Sequence, residues 1–466
     1  MTVSQIPSAL DPTNKRAAKR GLTLIEIMIA LTMTLIVLGA MMSAFRYASE
    51  KMQQGRGVME MANRLRSAEE LLRNDLANLT LDPRVYTEST APNGFLEIIE
   101  GARNDSFFAT DLTNSTTTPA TSYLGDVDDA IGMTVRSAEG RRFRGSHQDG
   151  TGLLVIESTL AEVWYYTTLN DLASSSVVAT DAEAIDTEDS VRLHRRALLI
   201  RPDFNVSGVL QLNGVAQTGL TAPQVDTFVA NNDISVRVEP ETGGTTFSIV
   251  ANSLADLALR RNRFAHVSPT LTAHNFPNSP TAALTFARSK PNGEDILLTD
   301  VAGFDVRVYS PNATVGYSAE GILVQPGDPE YVNLSTLAST ATAGAFVDLG
   351  YGIRSDGVAI AGVGAGEWYA GLGSGTTALT PLSRVFDTWS PSYENDGIDQ
   401  DGVLGPDQGT NGLNNGGSAA PDDDLERETR PPYPNPIRGI QISTRLRERT
   451  TQQMFQSSVT QSYVPE

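Results

Sequence analysis

The hydrophobic pattern of the chain opens with a near-continuous apolar run. From Leu22 to Phe45, twenty-four residues carry a single charge, Glu26, and a helix of about 20 apolar residues spans a hydrocarbon core. A lone carboxylate at the middle of such a helix costs roughly 2.5–3.5 kcal/mol or more. Glu26 therefore needs a partner, an interfacial position or the neutral form, and the span itself offers no evident partner. Beyond Phe45 the apolar positions become periodic. Val58, Ala62, Leu65, Ala68, Leu72, Leu76 and Leu79 recur at three- and four-residue steps with Arg64, Arg66, Glu69, Glu70, Arg73 and Asp75 between them, which predicts an amphipathic helix over residues 46–82. Gly55 and Gly57 each cost about 1 kcal/mol relative to Ala in a helix interior and predict a flexible joint, and Pro83 predicts the stop.

After residue 83 the period changes to that of strands. Residues 84–130 read as irregular, with an exposed Ser/Thr-rich loop at 110–122. Gly132–Arg136, Leu153–Glu157, Ala161–Thr167 and Val191–Pro202 are short, β-branched or aromatic and bounded by turn residues. Ser253-Leu-Ala-Asp256 has capping-box spacing and predicts a short helix through Arg263. Ile296–Tyr309 reads as two strand pieces meeting near Gly303, with Phe304, Val306 and Val308 alternating against Asp305, Arg307 and Tyr309. Ile437–Leu446 and Met454–Val464 predict a final strand pair, preceded by a stiff connector at Arg430–Pro436. The expected fold is α+β: one long N-terminal helix, half membrane anchor and half amphipathic, packed on an antiparallel sheet with long loop insertions.

Composition narrows the function classes. The net charge of −20 argues against nucleic acid as a partner of the bulk of the chain. With no cysteine, neither disulfides nor thiol chemistry contribute. The leader Met1–Gly21 ends in Lys15, Arg16, Lys19 and Arg20, a basic cluster that keeps this end cytoplasmic and sends the remainder across a membrane. A secretory signal would be cut after its apolar segment. The four histidines, His147, His194, His266 and His274, show no metalloprotease spacing, no nucleophile elbow or P-loop is present, and the glycine-rich insertion 344–375 does not fit a dinucleotide fingerprint. The chain is expected not to be an enzyme.

Lys19-Arg20-Gly21-Leu22-Thr23-Leu24-Ile25-Glu26 resembles the processing site of type IV prepilins and type II secretion pseudopilins. The resemblance implies cleavage between Gly21 and Leu22 by prepilin peptidase and N-methylation of Leu22, although the usual residue there is Phe. It also implies a role for Glu26 in assembly, neutralising the N-terminal ammonium of a neighbouring subunit. Removing residues 1–21 takes away four basic side chains and Asp11, leaving a net charge of −23. A second, shorter resemblance, carried by Leu71–Leu76, Ala161–Tyr166 and Leu193–Ile200, is to the J-type minor pseudopilins and W-type minor pilins. Together they imply a pilin-like domain order: leader 1–21, fibre-core and transmembrane helix 22–45, amphipathic helix 46–82 and an exported β-rich domain 83–466. The implied location is the bacterial inner membrane, single-pass, with the globular domain periplasmic or exterior, and then a pilus-like filament. The implied partners are prepilin peptidase, other minor and major pilin-like subunits, the inner membrane and secreted cargo.

The loop 394–428 holds ten acidic residues, one basic residue and seven glycines. Calcium takes six to eight oxygens on a backbone able to curl around it, so this loop reads either as a calcium site, with Asp396, Asp399 and Asp401 as first ligands, or as a solvated acidic loop. Val403 breaks the EF-hand spacing. Two functions of different kind stay open: a structural filament subunit near the tip, and a membrane-anchored tip adhesin or calcium-dependent binding module.

Overall fold

A computed structural model describes residues 23–81, 93–100, 126–127, 129–149, 152–169, 191–266, 294–326, 328, 331, 337–349, 351, 385–388, 397, 405–416, 420–422, 426, 437–448 and 453–463. The chain divides into two compact units, Met1–Met59 and Glu60–Glu466. The described part of the first is the N-terminal stretch of α1, a helix of 54 residues running Leu24–Ala77. It is unbroken at Gly55 and Gly57, where a joint was expected. Two isolated glycines weaken a helix but do not end it once it is nucleated on both sides.

Within the second unit α1 ends at Ala77, before Pro83, and the sheet ends it. Asn78 N donates to Asp75 O at 3.2 Å, Asn78 O accepts from Arg136 N at 2.9 Å, and Thr80 N donates to Thr134 O at 3.0 Å. Leu79 then bridges Val135 antiparallel. The backbone that would continue the helix is taken up by a strand.

That strand is β2 (Ala130–Arg136), which follows β1 (Leu96–Ile99). β3 (Phe143–Asp149) and β4 (Gly152–Ser158) form a hairpin of their own. β5 (Leu160–Leu169) and β6 (Val191–Leu199) return to the main sheet. A smaller layer follows: β7 (Asn205–Val206), β8 (Val209–Leu212), β9 (Val215–Ala216), α2 (Ala222–Asn231), and the hairpin β10 (Val236–Pro240) and β11 (Phe247–Ala251). β12 (Ile296–Ser310) is one 15-residue strand. It precedes the three-stranded set of β13 (Thr314–Tyr317), β14 (Leu323–Val324) and β15 (Ser339–Thr342), then β16 (Ala345–Val347), β17 (Val385–Asp387), β18 (Gly439–Arg447) and β19 (Met454–Ser462). The main sheet has nine strands in the order β17-β1-β2-β5-β6-β12-β18-β19, with β16 also on β12, and every pairing is antiparallel.

Three expectations change. β1 lies inside the stretch read as irregular, because all four of its residues, Glu97 included, are buried, and a short strand buried on both faces shows no alternation. The two pieces expected in 296–309 are one strand whose register shifts between Val301 and Gly303: Ile296 to Val301 pair with β6 and Val301 to Val308 with β18. The helix expected to follow Ser253 is two 3-10 turns, Asp256–Ala258 and Arg260–Asn262, although the predicted capping box forms, with Ser253 N donating to Asp256 Oδ2 at 2.8 Å and Asp256 N to Ser253 Oγ at 3.2 Å.

Both faces of the sheet are covered. One core joins Met61, Leu65, Ala68, Leu72 and Leu76 of α1 to Ile98, Met133, Val163, Tyr165, Phe304 and Ile442. The other packs Phe95, Ile99, Trp164, Tyr166 and Leu199 against Val225, Val229, Ile249 and Phe264 of the smaller layer. β5 sends Val163 and Tyr165 into the first core and Trp164 and Tyr166 into the second, which is why Ala161–Thr167 reads as an almost unbroken buried run.

Candidate functional site

The first candidate is the N-terminal turn of α1. Thr23 N and Thr23 Oγ1 both donate to Glu26 Oε2, at 2.9 and 3.1 Å, and Glu26 N donates to Thr23 Oγ1 at 3.3 Å. This reciprocal cap gives Glu26 a partner within its own span, where none was evident from the sequence. The hydroxyls of Thr32, Thr34 and Ser43 bond back to carbonyls of Met28 and Ile29, Ala30 and Ala40, so these three hydroxyls are satisfied within the helix. Its apolar residues are uncovered: Leu24 is 78% exposed and Ile36 71%. Gly21 and Leu22 lie outside the described residues.

The second candidate is the acidic loop between β17 and β18. Asp396, Asp399 and Asp401 lie outside the described residues. Nearby carboxylates that are described bind backbone. Gly397 N donates to Asp407 at 3.0 and 3.1 Å, Gly412 N to Asp422 Oδ1 at 2.8 Å, and Gly416 N to Glu426 Oε1 at 2.6 Å. Each acid accepts from a glycine N–H ten positions before it. Asp407 and Asp422 adopt φ of 55° and 52°, a region that Asp tolerates better than most residues.

A third cluster was not foreseen. Glu100 beyond β1, Asp126 before β2 and Asp348 beyond β16 are all buried, and one carboxylate oxygen of each lies within 4.8 Å of the others. Strand pairing assembles them. Phe304 N donates to Asp126 O at 2.7 Å and Leu349 N to Glu100 Oε2 at 3.2 Å. Arg307 Nε reaches Asp348 at 3.1 Å and Asp305 at 3.0 Å. Burial, then the charges of Asp348 and Asp129, push the Asp305 carboxyl well above the usual carboxylate range, against the pull of Arg445. Three carboxylates at this spacing are an oxygen set of the kind hard cations take. Their sequence positions, 100, 126 and 348, show no spacing that would have revealed them.

A buried ionic network pins the smaller layer to the sheet. Glu97 accepts from Arg260 Nε at 2.6 Å, Arg263 Nη1 at 2.8 Å and His266 Nε2 at 2.8 Å, and Arg263 Nη1 also reaches Asp387 at 2.7 Å. Burial alone would raise Glu97, but Arg260, His266 and Arg263 hold it well below the carboxylate range. Burial pushes Asp387 up to about 6 despite Arg263 and lowers His266 to about 4 despite Glu97. The groups neutralise one another in the interior, a packing role. His194 stacks on Tyr166 with ring centroids 5.1 Å apart, and His274 lies outside the described residues.

A family model, the prokaryotic N-terminal methylation motif, matches residues 16–42. The match takes in Arg16, Lys19, Arg20, Gly21, Leu22, Glu26 and the first part of α1. No curated protein and no solved structure matches the chain, so the likeness to J-type and W-type subunits rests on the residues that carry it.

Proposed function

We propose that this chain, which carries the prepilin-type methylation motif on an apolar N-terminal helix, is a minor pilin-like or pseudopilin-like structural subunit of a type IV pilus or type II secretion pseudopilus. The observation that carries the reading is the coincidence of that motif with an uncovered helix whose only charge from Leu24 to Phe45 is Glu26. Prepilin peptidase cleaves between Gly21 and Leu22 and the new terminus is methylated. The helix is stored in the inner membrane and then packs against like helices, with Glu26 neutralising a neighbour's terminal ammonium. Proteins with this motif are structural rather than enzymatic. A position at or near the tip is supported by size, because a globular part of more than 380 residues is awkward to repeat along a tightly packed fibre.

Glu26→Leu is the direct test. Mass spectrometry of the N-terminus is expected to show normal cleavage, while the variant remains in the membrane fraction and is missing from sheared filaments. Normal incorporation would overturn the assigned role. A second reading is a tip-borne, calcium-dependent binding module with Asp396, Asp399 and Asp401 as ligands. Its support is the Gly- and Asp-rich composition of loop 394–428, and calorimetry on the full chain in detergent that detects no calcium uptake would remove it.

A further inference from the structure

The outward-facing groups of the β3–β4 hairpin can be read from what binds β3. Ser146 N donates to Asp233 Oδ2 at 2.7 Å, Ser146 O accepts from Asp233 N at 2.8 Å, and Gln148 N donates to Asn232 Oδ1 at 2.8 Å. Ser146 and Gln148 therefore turn their backbone groups away from β4. In an antiparallel pair the residues opposite them do the same in the other direction. Those residues are Val155 and Leu153. The next outward position on β4, Glu157, has its carbonyl taken by Arg201 Nη1 at 2.7 Å. Among the described residues, no hydrogen bond outside the hairpin reaches the backbone of Leu153 or Val155.

This edge is apolar as well as open. Leu153 is 66% exposed, Val155 71% and Leu154 41%. Natural sheets blunt such edges with charge, proline or a bulge, and Leu153-Leu-Val155 has none. β19, one of the two terminal strands of the main sheet, differs in lining its exposed face with Gln456, Ser458 and Thr460. Charge gives the edge a preference. Arg141 and Arg142, the two residues before β3, and Arg136 at the end of β2 are exposed and have no ion pair among the described residues, with Glu139 the one acid between them, on a chain of net charge −20. A local positive end on an acidic molecule favours an acidic strand and disfavours a basic one.

We propose that the outer edge of β4 is an interaction surface that accepts an extended segment of a partner protein as an added strand, with apolar side chains against Leu153 and Val155 and carboxylates toward Arg141 and Arg142. Backbone pairing supplies affinity and alternate side chains supply specificity. The surface lies within the globular unit and does not depend on filament incorporation.

The test uses the full chain in detergent micelles and two fluorescein-labelled decapeptides, one alternating Val with Glu and one alternating Val with Lys. Fluorescence anisotropy is expected to show saturable binding of the Glu peptide and binding at least about tenfold weaker for the Lys peptide. Val155→Pro removes the outward N–H without touching the pairing to β3 and is expected to abolish binding. The milder pair Leu153→Ser with Val155→Thr keeps strand-compatible residues and is expected to weaken binding about tenfold. Near-ultraviolet circular dichroism of the buried Trp164 checks that both variants remain folded. Absence of saturable binding to the Glu peptide, equal binding of the two peptides, or undiminished binding by folded Val155→Pro would each overturn the proposal. So would concentration-dependent dimerisation that Val155→Pro abolishes, which would assign the edge to a second copy of this chain.

Discussion

The two parts of α1 obey opposite rules on one continuous backbone. From Leu24 to Met52 its large apolar residues are exposed, and the only ion pair among the described residues there is Arg46 to Glu50, an i,i+4 contact at 2.9 Å. From Glu60 to Ala77 it buries Met61, Leu65, Ala68, Leu72 and Leu76, and with them the charged Asp75. The first part has apolar surface that needs a lipid or helical environment. The second already has its environment, so its sequence answers to the fit against a sheet. Periodicity reports this difference: a helix apolar all round is solvated by something apolar, whereas a striped one packs on a single face.

The largest effect should come from breaking the polar contact inside the packed part. Asp75 Oδ2 accepts from Tyr165 Oη at 2.6 Å and Arg195 Nε at 2.8 Å, and Asp75 Oδ1 accepts from Arg195 Nη2 at 3.0 Å. Burial and then the Asp75 charge hold the Tyr165 hydroxyl well above its usual range. Asp75→Ala strands the Arg195 guanidinium, and losing one member of a buried pair costs about 3–5 kcal/mol. Chemical denaturation of the full chain in detergent measures it. Combining Asp75→Leu with Arg195→Leu is expected to cost clearly less than Asp75→Ala, because no charge is then left buried.

The next comparison is apolar. Leu72→Ala removes a side chain only 4% exposed and is expected to cost about 2–5 kcal/mol. Leu35→Ala, at a site 58% exposed, is expected to leave the melting of the globular unit unchanged. A similar loss from both would mean that the two parts of the helix share one cooperative core.

The buried network gives a smaller, pH-dependent effect. Asp387 at about 6 binds a proton more readily folded than unfolded, so its contribution to stability falls as pH rises from the ordinary carboxylate range through 6. His266 at about 4 is neutral in the folded chain while the unfolded chain still protonates, so its contribution rises between about 4 and the ordinary histidine value of 6.5. The two slopes oppose each other across the shared window. Asp387→Asn is therefore expected to make the slope of stability against pH between about 4 and 6 more positive than the parent's by about one proton, seen in denaturation midpoints of the two proteins taken across that range. An unchanged profile would show that Asp387 does not titrate there.

What could be read from residue order depended on how local the cause was. The apolar run, the striped helix, β5, β6, β18 and β19 follow from side chains a few positions apart, and the capping box at Ser253 formed as its spacing implied. Glu26 was legible as an awkward charge, and its contact with Thr23 is local too, but the hydroxyl was passed over as part of an apolar span. The helix end at Ala77, the buried strand β1 and the trio Glu100, Asp126 and Asp348 were not legible. Each arises from partners tens to hundreds of residues away, and strand pairing leaves no fixed interval between the residues it brings together. α2 was missed although Thr221 N donates to Gln224 Oε1 at 2.9 Å, because its ten residues hold only two buried positions, Val225 and Val229.

The smallest effect concerns the boundary between the two regimes. A Cβ added at Gly55 would meet nothing within 4 Å, and the residue is helical on an unbroken run. Nothing in the local geometry calls for glycine there. Gly55→Ala is therefore expected to strengthen the helix by about 1 kcal/mol, read as slower amide hydrogen exchange at residues 52–59 with no change in the melting of the globular unit. If the substitution instead speeds exchange, the glycine serves a close approach that the isolated chain does not make, such as a neighbouring helix crossing at that level. If exchange slows but the variant is missing from sheared filaments that contain the parent chain, the conformational freedom of Gly55, rather than its size, is what a filament would use. The three outcomes separate a residue that is merely tolerated in the helix from one whose weakness marks where an exposed helix gives way to a packed one.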